Sequence, residues 1–233
     1  MRGLGTIFNV ITVLIGGSLG LLIGSRFNKD LNKAVIGVNG FVSMVIGIQM
    51  AFTSKNILIV LISLALGVII GEIIDIEGRL QRFSQHMEDK FGRGEEGKFA
   101  KGFLTTSILF CVGPLTILGS LQDGLTGDIK LLATKSILDG FSSIVFASAF
   151  GVGVMFTIIT IIVVQGSLTL LAGTLSGILT QAVIAELTGV GGIMVISIGL
   201  GLLEIKKYKT ANMLPALLIA PIIVMLLTYF KFI

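Results

Sequence analysis

Asp139 is an ionisable residue inside a long apolar segment, residues 131–149. If that segment is a membrane helix, the carboxylate lies roughly 10 Å from its start, at about 1.5 Å per residue. A charged group at that depth is costly and typically serves an ion, proton or substrate path. The alternative is that Asp139 lies at the outer membrane surface, where it caps the helix or pairs with Lys135 four residues earlier.

Asn39 and Thr188 occupy positions that match Asp139 in apparent internal repeats, since each precedes a glycine and an apolar residue. We predict that these three residues and Ser143, which follows Asp139 in the same element, line one site near the bilayer midplane. The alternative for Asn39 and Thr188 is a hydrogen bond between neighbouring membrane helices.

Glu186 and Gln165 complete the polar candidates. Glu186 could share the outer half of the site with Asp139, or it could complement the dipole in the first turn of its own helix. The amide of Gln165 could coordinate a cation, or it could hydrogen-bond an adjacent helix.

Gly113 and Pro114 interrupt another apolar segment. Proline has no N–H to donate and crowds the preceding turn, so carbonyl groups near residues 109–110 should be left free. At membrane depth such groups must find partners or line a cavity, so both residues are included in the predicted site. A packing kink is the alternative.

The composition defines the elements that must position these residues. The 233 residues are 54% hydrophobic and 13% charged, with a mean hydropathy of +1.02, which a soluble domain could not bury. The apolar runs have the length of a bilayer-spanning helix, about 20 residues. We therefore predict an all-α fold, a polytopic transmembrane helical bundle.

Eight apolar runs predict about eight helices. The chain then divides into N-terminal helices 1–3 (residues 1–76), a charged connector (77–101) and C-terminal helices 4–8 (102–233). Helices 4 and 5 are the ones expected to be broken or re-entrant. The predicted helices are 5–24, 34–53, 56–74, 103–121, 131–149, 154–177, 180–203 and 210–230.

The basic residues predict the orientation. Twelve of the 17 Lys and Arg residues fall near loops 1–2, 3–4, 5–6 and 7–8, and five fall on the other side. The positive-inside rule places those loops in the cytoplasm and both termini outside. The 77–101 segment spaces Leu80, Phe83, Met87 and Phe91 as an amphipathic helix would, on the membrane surface or as a solvated connector.

Two apolar runs carry a common GSLxLLxG pattern, Gly17–Gly24 and Gly166–Gly173. With eight spans the two copies would be inserted in opposite senses, as in transporters built from inverted two-helix repeats. Accidental similarity between apolar sequences is the alternative. The stripe Gly16, Gly20 and Gly24 permits close helix approach, either within the chain or in a homo-oligomer.

The sequence offers no nucleophile with a base, no phosphate-binding loop and no metal-ligand cluster of recognisable spacing. It contains one cysteine and one histidine, so we expect no enzyme, no cofactor and no metal centre. Nucleic acid is not an expected partner, because the positive charge lies in short loops. We predict a transporter or channel for a small ion or metabolite in the inner membrane; the alternative is a scaffold or regulatory protein that acts through the 77–101 segment.

Three blocks resemble one bacterial membrane-protein family, catalogued as domain of unknown function 554. They are GTIFNVITVLIGGSLGLLIG, then FCVGPLTILGSLQDGLTGD followed by KSILDGFSS, and QGSLTLLAG with GGIMVISIGLGLL. The resemblance covers nearly the whole chain and implies a multi-pass membrane protein, without naming an activity.

Overall fold

The computed structural model describes residues 2–26, 29–91 and 97–230, without the side chains of residues 29, 32, 84–91 and 114. Every regular element in those ranges is helical, which confirms the all-α class. Two 3-10 turns, Gly151–Val154 and Thr210–Met213, separate longer helices. The α-helices are α1 Leu4–Gly24, α2 Lys29–Ala51, α3 Ile57–Ile74, α4 Ile76–Phe91, α5 Lys98–Cys111, α6 Pro114–Thr126, α7 Lys130–Phe150, α8 Thr157–Leu170, α9 Ala172–Leu175, α10 Gln181–Leu202 and α11 Ala216–Tyr229.

The described residues include six helical spans that are long and apolar enough to cross a membrane: those of α1, α2, α3, α7 and α10, and Thr210–Tyr229, which joins the second 3-10 turn to α11. The pair α5 and α6 would form a seventh span, bent by 58° at its break. Helix α8 is apolar but shorter, with 14 residues. Each of the eight predicted segments therefore corresponds to a helix or a bent helix pair, and the polytopic class is confirmed.

Local sequence signals set several helix ends. The side chain of Asn56 accepts a hydrogen bond from the Leu58 amide at the start of α3, and Thr180 does the same for α10. Such caps satisfy amides that have no partner within the helix. Helix α6 ends at Thr126 and is followed by the capping residue Gly127, whose φ of 75° is a conformation that glycine adopts at little cost.

The chain forms two compact units. The first contains Met1–Asn39 and Gln81–Leu175, and the second contains Gly40–Leu80 and Ser176–Ile233. The three segments predicted from the sequence, 1–76, 77–101 and 102–233, divide the chain along its length and stay a prediction.

In the first unit, α1 and α7 lie unusually close because glycines face the opposite backbone. A Cβ atom added at Gly16 would overlap the Gly140 carbonyl, and one at Gly24 would overlap the Ser148 carbonyl. Residue numbers increase in the same direction along both helices at these contacts, so α1 and α7 are parallel. The predicted glycine stripe thus serves packing within the chain, and homo-oligomerisation stays a prediction.

In the second unit, α2 and α10 pack through glycines in the opposite sense. Gly40 faces Leu203, whereas Gly47 faces Gly192, so the two helices are antiparallel. Helices α3 and α11 are also antiparallel: Gly71 faces the Asn212 backbone in the second 3-10 turn, and Ile59, nearer the start of α3, packs with Val224.

Much of the helix surface is apolar. On α1, large apolar side chains recur on one face and are exposed, from Ile7 (56%) through Ile15 (57%) to Leu22 (67%). Exposed apolar residues at this spacing form the stripe that lipid covers in a membrane helix.

Part of the 77–101 segment forms the helix α4. The ring of Phe83 packs 6.3 Å from that of Phe99 and 6.5 Å from that of Phe103, measured between centroids. The side chains of Met87 and Phe91 lie outside the described residues. The choice between a membrane-surface helix and a solvated connector stays open.

Candidate functional site

Helix α7 places Lys135 and Asp139 one turn apart on the same face, and their side chains form an ion pair. The exposed fractions of the two side chains are 6% and 9%. Asp139 lies nine residues after Lys130, about 13 Å along the helix. The predicted pairing with Lys135 is confirmed, and the depth of Asp139 in the membrane and its role in a binding site stay predictions.

Asn9 of α1 connects this ion pair to α8. Its amide nitrogen donates to Asp139 Oδ2 (3.0 Å) and to Gln165 Oε1 (2.9 Å). The nitrogen of Gln165 donates in turn to the hydroxyl of Thr6 (3.2 Å). Asn9 and Gln165 are fully buried. These five side chains, which we call the polar network, come from α1, α7 and α8: Thr6, Asn9, Lys135, Asp139 and Gln165.

The polar network leaves one acceptor unused. Both amide hydrogens of Asn9 are directed to oxygens, whereas its own Oδ1 has no hydrogen-bond partner. A buried acceptor without a donor is costly, so native proteins rarely keep one without a reason.

The break between α5 and α6 borders the polar network. Gly113 is extended (φ −162°, ψ 155°), and α6 begins at Pro114, a position where the missing N–H costs nothing. The Phe110 carbonyl accepts a hydrogen bond from the Thr116 hydroxyl (2.9 Å). The predicted break is confirmed, and the Phe110 carbonyl has found a partner. The ring of Phe110 faces Lys135, with its centroid 5.7 Å from Nζ.

Ser143 contacts the network only through the backbone of α7. Its hydroxyl donates to the carbonyl of Asp139 (2.7 Å), a local bond between residues one turn apart. Its assignment to a binding site stays a prediction.

Sequence reasoning did not identify Asn9, Thr6 or Asp123. Asp123 of α6 is fully buried and accepts hydrogen bonds from the amides of Gly3 and Gly5 (both 3.1 Å). These amides lie at the N-terminus of α1, whose partial positive charge attracts a carboxylate. One signal could have been used: the start of α1 has no capping side chain of its own, so its amides need an acceptor from elsewhere in the fold.

Glu186 belongs to the second unit and has a different environment. Its carboxylate accepts hydrogen bonds from the Ser54 hydroxyl (2.5 Å) and from the amides of Lys55 (2.7 Å) and Asn56 (3.0 Å). It therefore stabilises the turn before α3, rather than the first turn of α10. A shared site with Asp139 stays a prediction.

Asn39 and Thr188 are both buried, with exposed fractions of 2% and 1%. The Asn39 amide nitrogen and the Thr188 hydroxyl have no hydrogen-bond partner. Asn39 falls in the first unit and Thr188 in the second, and their joint role with Asp139 stays a prediction.

The fold and the run of apolar helices define a multi-pass α-helical membrane protein. Residues 4–225 match the family described as protein of unknown function DUF554, and the chain belongs to that family, as the resemblance implied. It is 36% identical to the "Uncharacterized membrane protein YdfK" of Bacillus subtilis (strain 168), over 97% of both chains. It is 30% identical to the "Uncharacterized protein YqgA" of Escherichia coli (strain K12), over 93% of this chain and 94% of the relative. No solved structure matches the chain.

Proposed function

We propose that this protein is a non-enzymatic transporter or channel for a small ion or metabolite, and that the polar network is its binding site. One observation carries the proposal: a Lys–Asp ion pair is buried inside an apolar helix and is hydrogen-bonded to a second helix. The bilayer interior makes such a pair expensive, so its presence favours a role beyond folding.

The energetic cost of a buried ion pair supports a functional role for Lys135 and Asp139. Replacing a buried ion pair by well-packed apolar residues is often neutral or stabilising, because desolvation offsets most of the attraction. An apolar pair at positions 135 and 139 would therefore serve stability equally well. Lys135 and Asp139 could instead separate and bind a ligand, which an apolar pair could not do.

The break at Gly113 supports movement near the same place. Interrupted helices at membrane depth are common at transporter sites, because the break exposes backbone groups and lets a half-helix tilt. Here the break and the ion pair share Phe110, whose carbonyl bonds Thr116 while its ring faces Lys135.

We further propose an inverted repeat and an inner-membrane location with cytoplasmic basic loops. The first GSLxLLxG copy lies in α1, and the second begins in α8 and ends in α9. The contacts between α1 and α8 run in opposite senses: Thr6 meets Gln165, whereas Val13 packs with Ile161. Parallel α1 and α7, with antiparallel α2 and α10, also fit eight alternating spans. The excess of basic residues on one side supports the orientation.

The test is solute flux in proteoliposomes. Wild type and Asp139→Asn are reconstituted at equal density and assayed with monovalent ions, divalent metals, amino acids and organic acids. The control is Leu138→Ala, at a neighbouring position that is 54% exposed. Transport predicts flux of at least one solute that the control keeps and Asp139→Asn loses. If Asp139→Asn matches wild type for every solute, while wild type captures a partner protein that a variant with residues 77–101 replaced does not, the scaffold alternative is correct.

A further inference from the structure

We propose that the polar network, together with Ser120 of α6, binds a small zwitterionic amino acid. The ammonium group of the ligand pairs with Asp139, and its carboxylate pairs with Lys135. This inference rests on the proposed function and names the substrate class of that site: a molecule with one positive charge, one negative charge and a small side chain.

The charges of the buried ion pair select for a zwitterion. The side chains of Lys135 and Asp139 carry opposite charges and are almost entirely buried. A ligand that separates them has to pair with both, because a buried charge without a partner is costly. A simple cation would leave Lys135 without a counter-ion, and a simple anion would leave Asp139 without one. A zwitterion pairs with both and leaves the net charge of the site unchanged.

Asn9 provides an acceptor beside Asp139. Its nitrogen donates to Asp139 Oδ2 and to Gln165 Oε1. The Oδ1 atom of the same amide is fully buried and has no hydrogen-bond partner among the described residues. An ammonium group has three donor hydrogens, so that of the ligand can satisfy both Asp139 and the Asn9 oxygen.

Ser120 provides a donor on the facing side of α6. One turn later on that helix, Asp123 bonds the Gly5 amide of α1, and a Cβ added at Gly124 would overlap the Thr169 carbonyl of α8. Residues three and four positions apart share a helix face, so Ser120 faces α1 and α8. Its side chain is fully buried, and its hydroxyl has no hydrogen-bond partner within the described ranges.

The contacts of α6 with α8 place Ser120 at the level of the polar network. The first turn of α6 bonds the Phe110 carbonyl, and Phe110 packs with Ile161 of α8. Gly124, near the end of α6, meets the last turn of α8. The two helices therefore run in the same direction. Ser120 and Gln165, each one turn before that second contact, lie at a similar depth.

Helix α7 passes the same part of α6. A Cβ added at Gly119, the neighbour of Ser120, would overlap the side chain of Leu132. Leu132 lies one turn before Lys135 on α7. The Ser120 hydroxyl and the Lys135 ammonium group therefore come from adjoining turns of neighbouring helices, and both can donate to one carboxylate of the ligand.

The packing limits the ligand to a small side chain. Asn9 and Gln165 bond each other directly, and glycine contacts hold α1 against α7. Room for a ligand has to come from α6, a helix of 13 residues between the break at Gly113 and the cap at Gly127. A tilt of this short helix opens a space beside Ser120 that suits glycine, alanine or serine rather than a bulky amino acid.

The experiment measures the binding of radiolabelled glycine, L-alanine and L-serine to the purified full-length protein, by equilibrium dialysis in detergent at slightly acidic pH. Two glycine derivatives with a single charge serve as competitors: the anion N-acetylglycine and the cation glycine amide. We expect at least one of the three amino acids to bind saturably. Both derivatives should compete at least about tenfold more weakly than glycine, because each leaves one buried charge without a partner.

Ser120→Ala and Ser136→Ala form a matched pair of variants. Ser120→Ala should weaken binding by about tenfold, because it removes a hydrogen bond to a charged group. Ser136 is also fully buried, but its hydroxyl donates to the Leu132 carbonyl of its own helix (2.6 Å), so Ser136→Ala should bind as wild type does.

The double variant Lys135→Met with Asp139→Leu removes both charges together, so it should fold and should bind none of the three amino acids. Circular dichroism checks the fold of each variant. Retained binding by the folded double variant would show that the ion pair does not hold the ligand, and the inference would fail.

Three other results would overturn the inference. They are no saturable binding of any of the three amino acids to folded wild type, competition by either derivative as strong as that by glycine, and equal binding by Ser120→Ala and Ser136→Ala. The last result would mean that the Ser120 hydroxyl bonds water rather than the ligand. Flux of another solute that depends on Asp139 would then leave the proposed function standing, whereas flux independent of Asp139 would remove both.

Discussion

Asp139 in the first unit and Glu186 in the second are both buried carboxylates in apolar helices, and their partners differ in kind. Asp139 is held by side chains, the ammonium of Lys135 and the amide of Asn9. Glu186 is held by a turn, through two backbone amides and the Ser54 hydroxyl. Side chains can rotate and change partner, but backbone amides are fixed by the fold.

The charge of Asp139 can therefore change partners, whereas the charge of Glu186 is fixed by the backbone that it contacts. The Glu186 carboxylate accepts hydrogen bonds from amides just before α3, where helix geometry provides no carbonyl partner. Its contribution is to fix the turn between α2 and α3. The Asp139 carboxylate satisfies no backbone group with its side chain, so the fold does not require it in the same way.

The largest expected effect comes from removing half of the ion pair. Lys135→Met leaves Asp139 charged and unpaired, which should lower the free energy of unfolding by about 3–5 kcal/mol. The double variant Lys135→Met with Asp139→Leu should recover most of that loss, since both charges leave together. Denaturant titration in micelles, followed by circular dichroism, measures both. Equal loss in the single and double variants would show that the pair is required for folding itself.

The second effect should come from Glu186. Glu186→Ala removes the acceptor of three hydrogen bonds, and we expect a loss of about 2–3 kcal/mol. Glu186→Gln keeps one oxygen for the amides of Lys55 and Asn56, so it should cost less than half as much. Flux by Glu186→Gln should equal that of wild type. If Glu186→Gln instead loses flux as Asp139→Asn does, the two carboxylates act in one site and the contrast between the units fails.

A smaller effect is expected where α1 meets α7. Gly16→Ala places a methyl group against the Gly140 carbonyl, and this overlap should cost about 2 kcal/mol. Gly37→Ala is the matched control, because a Cβ there meets nothing within 4 Å. The same denaturant titration compares them, and a tolerated Gly16→Ala would mean that the polar network survives a wider separation of the two helices.

The smallest effect is expected at the helix break. Thr116→Val removes the hydrogen bond to the Phe110 carbonyl and should cost about 1 kcal/mol. Thr134→Val is the control, because its hydroxyl bonds the Lys130 carbonyl on an exposed surface. If Thr116→Val costs no more than this control, the Phe110 carbonyl has another partner and the break is more adaptable than the structure indicates.

Part of the candidate site could be predicted from sequence. Asp139 was identified because a charge inside an apolar run is rare, and its pairing with Lys135 followed from helical spacing. Gln165 could be predicted as a candidate because a polar residue inside an apolar run is also uncommon. Its connection to Asp139 could not be predicted, because the two residues are joined through Asn9. An asparagine in a first apolar helix has many possible roles, and nothing in its neighbours distinguishes this one.

The sequence by itself determined the membrane class, the positions of the apolar helices and the break at Gly113 and Pro114. These properties depend on composition and on backbone chemistry within one or two turns. Only the tertiary structure decided that Asn9 meets Asp139, 130 residues away, and that Glu186 supports the turn before α3. Such contacts depend on which glycine-lined helix faces pack together. That pairing is determined by the packing of all the helices and cannot be read from one segment.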